Sequence, residues 1–193
     1  FMKNLVIISA PSGAGKTTIC KALQKSDKSI KFSVSCTTRE KRINEKDGID
    51  YNFISKKEFV NGINNGRFAE WEKIHDNNYY GTTVDTLSYS IEHNNLLLME
   101  LDVNGALSII NLYPNKTLSI FIMPPSLEEL KLRLQNRGTE TDKSIEKRLN
   151  RLDDELSCKS YFDFHILNDK VNKAVIEILS IIKHQNEGVY NGS

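Results

Sequence analysis

The chain has 193 residues, 39% of them hydrophobic, and a formal net charge of +1. That length favours one domain with a sizeable core, and the near-neutral balance argues against a general nucleic-acid or membrane-binding surface. Cys20, Cys36 and Cys158 are odd in number and lack metal-type spacing, and the four histidines are scattered. They read as free thiols of a reducing compartment and make a zinc site unexpected. No leader pattern and no run near the ~20 apolar residues of a membrane span is seen, so a cytoplasmic protein is expected.

In chain order, Asn4–Ser9 is a continuous apolar strand that runs into Ala10-Pro-Ser-Gly-Ala-Gly-Lys16-Thr17-Thr18 and then a helix, Thr17–Lys25. A Gly-rich turn between a strand and a helix points successive backbone N–H groups into one concavity, which is how a chain cradles phosphates. Ser12, Gly13, Ala14, Gly15, Lys16, Thr17 and Thr18 are therefore candidate ATP ligands. Lys16 would reach the β- and γ-phosphates, and the Thr17 hydroxyl would ligate Mg²⁺. Ala10 stands where the strict form of this motif has glycine.

Further strands are predicted at Lys31–Ser35, Leu96–Leu101, Leu118–Met123 and Phe164–Leu167. Helices are predicted at Val103–Leu112, Ser126–Asn136, Asp142–Lys159 and Lys170–His184, with a capping box at Ser126-Leu-Glu-Glu129. Apolar strands alternating with helices imply a parallel sheet covered on both faces, an α/β fold. Ser35–Asp85 breaks this rhythm. It is polar and turn-rich, with strands at Tyr51–Ile54 and Phe68–Ile74 and a capped helix at Ser55-Lys-Lys-Glu58, and reads as an inserted α+β lobe. Six of the seven arginines fall in two stretches, Arg39 and Arg42, then Arg133, Arg137, Arg148 and Arg151. Arginine's planar fork suits bidentate phosphate contacts, so two phosphate-handling regions are suggested.

A phosphate loop alone leaves GTPases, ATPases and small-molecule kinases open. The motifs Ser33-Val-Ser-Cys-Thr-Thr-Arg39-Glu-Lys-Arg42, Gly48-Ile-Asp-Tyr51-Asn-Phe53, Phe68-Ala-Glu70-Trp71, Tyr79-Tyr80-Gly81-Thr82, Glu100-Leu-Asp102-Val-Asn-Gly105, Arg137-Gly-Thr-Glu-Thr141 and Asn168-Asp169 resemble the guanylate kinase family. The resemblance runs from about Leu5 to Ile182 and covers the loop's Ala10 in its bacterial-type form. It implies a P-loop nucleoside monophosphate kinase fold with a five-stranded parallel core (1–34, 86–124 and 157–186), a GMP-binding lobe (35–85), a helical lid (125–156) and a flexible tail (187–193). It also implies transfer of the ATP γ-phosphoryl group to GMP, and to dGMP, with Mg²⁺.

The resemblance assigns the guanine edge to Glu70, accepting from N1–H and N2–H, and to Thr82, donating toward O6. Asp102 lies beside the nucleotide. Ser35, Arg39, Arg42, Tyr51 and Tyr80 hold the GMP phosphate. Arg133, Arg137 and Arg148 act on the transferring phosphates, with Lys16, Arg39, Arg137 and Arg148 as the catalytic set, and Asn168 lies near adenine. The residue types suit that chemistry, since guanine needs an acceptor facing its two N–H groups and a phosphate needs donors of fixed geometry. Structural readings compete: Glu70 as a solvated strand charge, Tyr51 and Tyr80 as core edges, the second arginine group as helix-surface partners of Asp and Glu. Trp71 reads as packing, and Glu100 has no assigned role. Lys41 replaces a proline common between the paired arginines of the family, and the loop at 75–78 is one residue longer than in some relatives. Two other functions stay open, an interaction module that has lost catalysis and a kinase for AMP or UMP. The partners expected are ATP and GMP, with no nucleic acid or membrane and a monomer or weak homo-oligomer.

Overall fold

The computed structural model describes residues 2–11, 13–74, 77–126, 128–130 and 152–187. The strands are β1 (Leu5–Ser9), β2 (Lys31–Phe32), β3 (Cys36–Thr37), β4 (Asn52–Phe53), β5 (Phe68–Ile74), β6 (Asn78–Thr83), β7 (Leu97–Glu100), β8 (Thr117–Met123) and β9 (Phe164–Leu167). The helices are α1 (Lys16–Ser26), α2 (Lys56–Asn64), α3 (Val84–Glu92), α4 (Val103–Leu112), α5 (Leu152–Ser157) and α6 (Val171–Glu187), with a 3₁₀ turn at Cys158–Tyr161.

β1 sets the architecture. All five of its residues are buried, and successive side chains alternate between faces. Val6 and Ile8 enter one core with Ile19 and Leu23 of α1 and Ala174 and Ile178 of α6. Leu5 and Ile7 enter the other with Leu87 of α3 and Val103, Ala106 and Ile109 of α4. Each such aliphatic side chain contributes about 1.5–3 kcal/mol by leaving water, so a strand apolar on both faces is stable only between two helical layers. The sheet order is β2-β7-β1-β8-β9, with every pairing parallel. β1 has β7 on one side and β8 on the other, so the strand order reverses at its carboxyl end. That crevice is where open α/β sheets place ligands.

The chain from Cys36 to Thr83 builds a second sheet, β4-β3-β6-β5. β3 and β4 pair parallel, and β6 pairs antiparallel with both β3 and β5. Its small core stacks Phe59 of α2 on Phe68 of β5 at 4.2 Å between ring centroids. The Ser55 hydroxyl accepts from Glu58 N–H, and the Glu58 carboxylate accepts from Ser55 N–H, as the sequence predicts.

The predicted five core strands and the helices following β1, β7 and β9 are present within a few residues. The strand predicted over Lys31–Ser35 is shorter. Its ladder ends with Ser33 N–H on the Leu98 carbonyl (2.9 Å), after which the chain crosses to β3 in the second sheet. Asn52 steadies that crossing by donating from its amide to the Val34 carbonyl (3.0 Å). β3, β6 and α3 are additions to the predicted elements. Trp71, predicted to pack, is 45% exposed, with its ring 6.1 Å from that of Tyr79. At Ser126 a helical turn opens with its hydroxyl accepting from Glu129 N–H (3.1 Å). The rest of that helix, the start of the helix predicted from Asp142, and 188–193 lie outside the described residues. Among the described residues no helix is long and apolar enough to cross a membrane.

Candidate active site

The loop after β1 folds around two glycines with left-handed backbone, Gly13 at φ 93° and Gly15 at φ 99°. At Gly15 the requirement is double, because a Cβ there would stand 2.6 Å from Asn168 Nδ2. Gly15 is the N-cap of α1, and no side chain among the described residues caps this helix. The first-turn N–H groups of Lys16, Thr17 and Thr18 therefore face the crevice, with the positive end of the helix dipole behind them. Asn168, 2% exposed, braces the loop from below by donating to the Ala14 carbonyl at 2.8 Å, while its own N–H bonds the Met123 carbonyl. Lys16 bends over the loop with Nζ 3.4 Å from the Ala10 carbonyl. The Thr17 hydroxyl donates to Glu100 Oε1 at 2.6 Å.

Between this loop and the second sheet lies a cleft of about 1290 Å³. It is lined by Lys16, Thr17, Ser35, Arg39, Arg42, Tyr51, Glu70, Tyr80, Glu100 and Asp102, among others. In its middle, Arg39 is held on several sides. Its Nε donates to the Tyr80 hydroxyl (3.1 Å), its two terminal nitrogens grip both oxygens of Glu45 (2.8 and 2.9 Å), and one also reaches the Glu40 carbonyl. The guanidinium lies over the Tyr51 ring, 5.4 Å from its centroid, and Tyr51 meets Tyr80 edge-on at 5.8 Å. Burial, then the negative charge of Glu100, pushes the Tyr51 phenol up to about 12, so it remains a donor at neutral pH. Glu45 also accepts from Arg42 N–H at 2.9 Å. Its carboxyl is held below the usual range, first by the Arg39 hydrogen bonds. The Arg42 side chain itself is exposed at the cleft rim.

At the far end, β5 and β6 present a face of paired side chains: Glu70 opposite Thr82 and Glu72 opposite Tyr80. Glu70 is 7% exposed. Burial pushes its carboxyl up to about 7, with the Asp102 charge adding to the rise and Thr82 opposing it. The Thr82 hydroxyl is buried beside it and makes no hydrogen bond of ordinary geometry to a described group. Asp102 caps α4, accepting from Gly105 N–H at 2.8 Å. A Cβ on Gly105 would be 2.8 Å from Glu70 Oε2 and 3.3 Å from Asp102 Oδ1, so both carboxyls crowd the first turn of α4.

Of the predicted site residues, Lys16, Thr17, Ser35, Arg39, Arg42, Tyr51, Glu70, Tyr80 and Asp102 line one cleft. Gly13, Ala14, Gly15 and Thr18 of the loop and α1, the buried Asn168 that braces the loop, and Thr82, paired across the strands with Glu70, are not among its lining. Ser12, Arg133, Arg137 and Arg148 lie outside the described residues. Glu45 and Glu72 were not foreseen. Glu45 carries a faint signal, an acid three residues beyond Arg42 in a basic stretch. Glu72 carries another, an i, i+2 partner of Glu70 on one strand face.

A phosphate-binding loop at the switch point of a parallel five-stranded sheet, facing a second sheet that carries arginines and carboxylates, defines a P-loop kinase of small phosphorylated molecules. Residues 2–185 match the family model for guanylate kinase. A guanylate kinase of Prochlorococcus marinus is 43% identical over 182 residues, covering 94% of this chain and 98% of that protein. One of Clostridioides difficile is 43% identical over 185 residues, 96% and 89% of the two chains. The crystal structure of guanylate kinase from Anaplasma phagocytophilum superposes with a TM-score of 0.77 at 27% identity, covering 96% of this chain and 87% of that one. The chain belongs to the guanylate kinase family.

Proposed function

We propose that this cleft carries out the family's activity, ATP-dependent phosphorylation of GMP, with ATP over the loop and GMP against the second sheet. The chain is a nucleoside monophosphate kinase. The observation that carries the assignment is that one cleft gathers three sets of groups: Lys16 and Thr17; Arg39, Arg42, Tyr51 and Tyr80; and Glu70, with the Thr82 hydroxyl buried beside it. Those sets suit phosphoryl donor, acceptor phosphate and guanine base.

The backbone of residues 12–18 and Lys16 hold the ATP phosphates, and Ser35, Arg39, Arg42, Tyr51 and Tyr80 hold the acceptor phosphate. That phosphate is already anionic at neutral pH, so no side chain need act as base. Catalysis is positioning and charge neutralisation. The Thr17 hydroxyl is the hard oxygen ligand that Mg²⁺ favours, and its hydrogen bond to Glu100 leaves its lone pairs for the cleft. When bound, Mg²⁺ would supply charge neutralisation at the transferring phosphates. Glu70 accepts from guanine N1–H and N2–H, Thr82 donates to O6, and Asp102 stands beside the base. Arg133, Arg137 and Arg148 act on the transferring phosphates from a lid at 125–156, closing against a GMP-binding lobe at 35–85; Asn168 serves ATP by bracing the loop. A cytoplasmic monomer or weak homo-oligomer that also accepts dGMP completes the reading.

A coupled ADP-release assay with GMP, dGMP, AMP, CMP and UMP tests it. The expected result is turnover confined to GMP and dGMP. A preference for AMP or UMP overturns the base assignment, and a folded protein inert with every acceptor is an interaction module instead.

A further inference from the structure

We propose that Glu72 is a specificity-determining residue for the sugar of the acceptor, its carboxyl accepting the ribose 2′-hydroxyl and so favouring GMP over dGMP. The proposal rests on the placement of GMP given above, with the base at Glu70 and the phosphate at Arg39 and Tyr80.

Two cross-strand pairs lie on one face of β5 and β6: Glu70 opposite Thr82 and, two residues along, Glu72 opposite Tyr80. Two strand residues span about 6.8 Å, so the rows are one sugar apart. The first row faces the base. The second belongs to the phosphate, because the Tyr80 hydroxyl takes Arg39 Nε–H at 3.1 Å. A nucleotide reaching from Glu70 to Arg39 therefore carries its ribose past the second row, where Glu72 lines the cleft.

Glu72 is fixed there from a second element. Asn104 Nδ2, in the first turn of α4, donates to Glu72 Oε1 at 2.6 Å. The same helix is capped by Asp102, which accepts from Gly105 N–H at 2.8 Å. Strand and helix together hold the Glu72 carboxyl at the cleft wall. A carboxylate has about four lone-pair sites, and the Asn104 amide fills one. Its neighbours Glu70 and Asp102 are acids as well, so this end of the cleft is rich in acceptors and poor in donors. A ligand that fits it brings N–H and O–H groups. Guanine brings N1–H and the N2 amine to Glu70, and the sugar brings its hydroxyls. The 2′-hydroxyl is on the carbon next to the one that bears the base, so it falls to the residue next along the face from the base reader. A hydroxyl both donates and accepts, so it bonds this carboxyl whether ionised or protonated. A site built to bond a hydroxyl rejects an analogue that lacks it, because its own polar group is left unpaired.

The experiment measures kcat/KM, and affinity by calorimetry, for GMP, dGMP and 3′-deoxyGMP in wild type, Glu72→Ala and Asn104→Ala. Wild type should favour GMP over dGMP by about tenfold, the worth of one hydrogen bond to a charged group, and should take 3′-deoxyGMP within about twofold of GMP. In Glu72→Ala the GMP/dGMP ratio should fall to about one, through loss on GMP with dGMP little changed. In Asn104→Ala the carboxyl remains but is no longer held, and the ratio should fall between the two. A Glu72 that only ties β5 to α4 would weaken GMP and dGMP alike and leave the ratio intact, which overturns the proposal. So does a wild type that takes GMP and dGMP equally, or one that loses more with 3′-deoxyGMP than with dGMP. A wild type that phosphorylates AMP as well as GMP instead overturns the placement of the base. The wild-type ratios and Asn104→Ala keep the test decisive should Glu72→Ala fail to fold.

Discussion

Glu45 occupies the Arg39 guanidinium with both carboxylate oxygens, at 2.8 and 2.9 Å, while Tyr80 takes its Nε–H and the Glu40 carbonyl another N–H. A guanidinium has five N–H donors. Four of them are engaged among the described residues, which leaves one donor of Arg39 in a fixed direction. The same carboxylate also ties down Arg42 N–H, so one acid organises the segment that carries both arginines. A charged pair 16% exposed on each side is held by geometry rather than by chance contact. Glu45→Gln keeps the shape and removes the charge. It should raise the KM for GMP about tenfold, the worth of one charge-assisted hydrogen bond, and leave the KM for ATP within about twofold. Steady-state kinetics with each substrate varied in turn decides it; equal effects on both would place Glu45 outside the acceptor site.

Lys16→Ala should cut kcat by roughly 10²–10³, the cost of one preorganised electrostatic donor. The fold should survive, because among the described residues the Lys16 ammonium makes a single long hydrogen bond, 3.4 Å to the Ala10 carbonyl. A thermal melt beside the turnover assay separates the two effects. Near-normal turnover in the folded variant would remove Lys16 from the reaction.

The parallel core was legible because burial on both faces leaves a pattern no loop produces: Val6-Ile-Ile, Leu96-Leu-Leu-Met and Ile120-Phe-Ile-Met are continuous apolar runs. The second sheet was only half legible. β6 reads Asn-Tyr-Tyr-Gly-Thr-Thr, polar on the face that lines the cleft, so it has no hydrophobic alternation to detect. Its Gly81 is required by packing that no local pattern announces, since a Cβ would stand 2.8 Å from the Glu70 carbonyl. β3, two residues long, is a strand solely because β4 and β6 pair with it. α3 follows β6 at once, capped by the Thr83 hydroxyl at 3.4 Å from Thr86 N–H. At the site, residues of distinctive type in known motifs were findable. Glu45 was not, because what it does is hold Arg39 and the Arg42 N–H, and that role exists only in three dimensions.

Glu70 carries a stability cost with a definite sign. Its carboxyl is near 4.5 in the unfolded chain and about 7 in the fold, raised first by burial. Below pH 4.5 both states are protonated and there is no penalty. Between about 4.5 and 7 the unfolded chain ionises first, so the free protein loses stability as pH rises, by about 3 kcal/mol at most. Glu70→Gln should therefore melt higher than wild type at pH 8 and alike at pH 4.5. In the same variant GMP should bind more weakly, because one acceptor oxygen becomes a donor facing N–H groups, and ATP should bind as before. Calorimetry with each nucleotide reads that. Weakened ATP with unchanged GMP would show that Glu70 does not face the base.

Asn168 and Gly15 meet closely beneath the phosphate loop, and each constrains the other. The Asn168 amide donates to Ala14 O at 2.8 Å and leaves no room for a Cβ on Gly15, whose φ of 99° already disfavours one. Asn168→Ala removes a buried donor and strands the Ala14 carbonyl, which should cost about 1–3 kcal/mol of stability. Because Ala14 lies inside the loop, the KM for ATP should also rise, with the KM for GMP little changed. Gly15→Ala should be worse, combining left-handed strain with the 2.6 Å clash. The double variant Gly15→Ala with Asn168→Ala relieves the clash and keeps the strain. It should therefore lose less stability than the sum of the two single changes. A double-mutant cycle from denaturant melts measures the difference. Strict additivity would mean that the two residues do not brace the loop against each other.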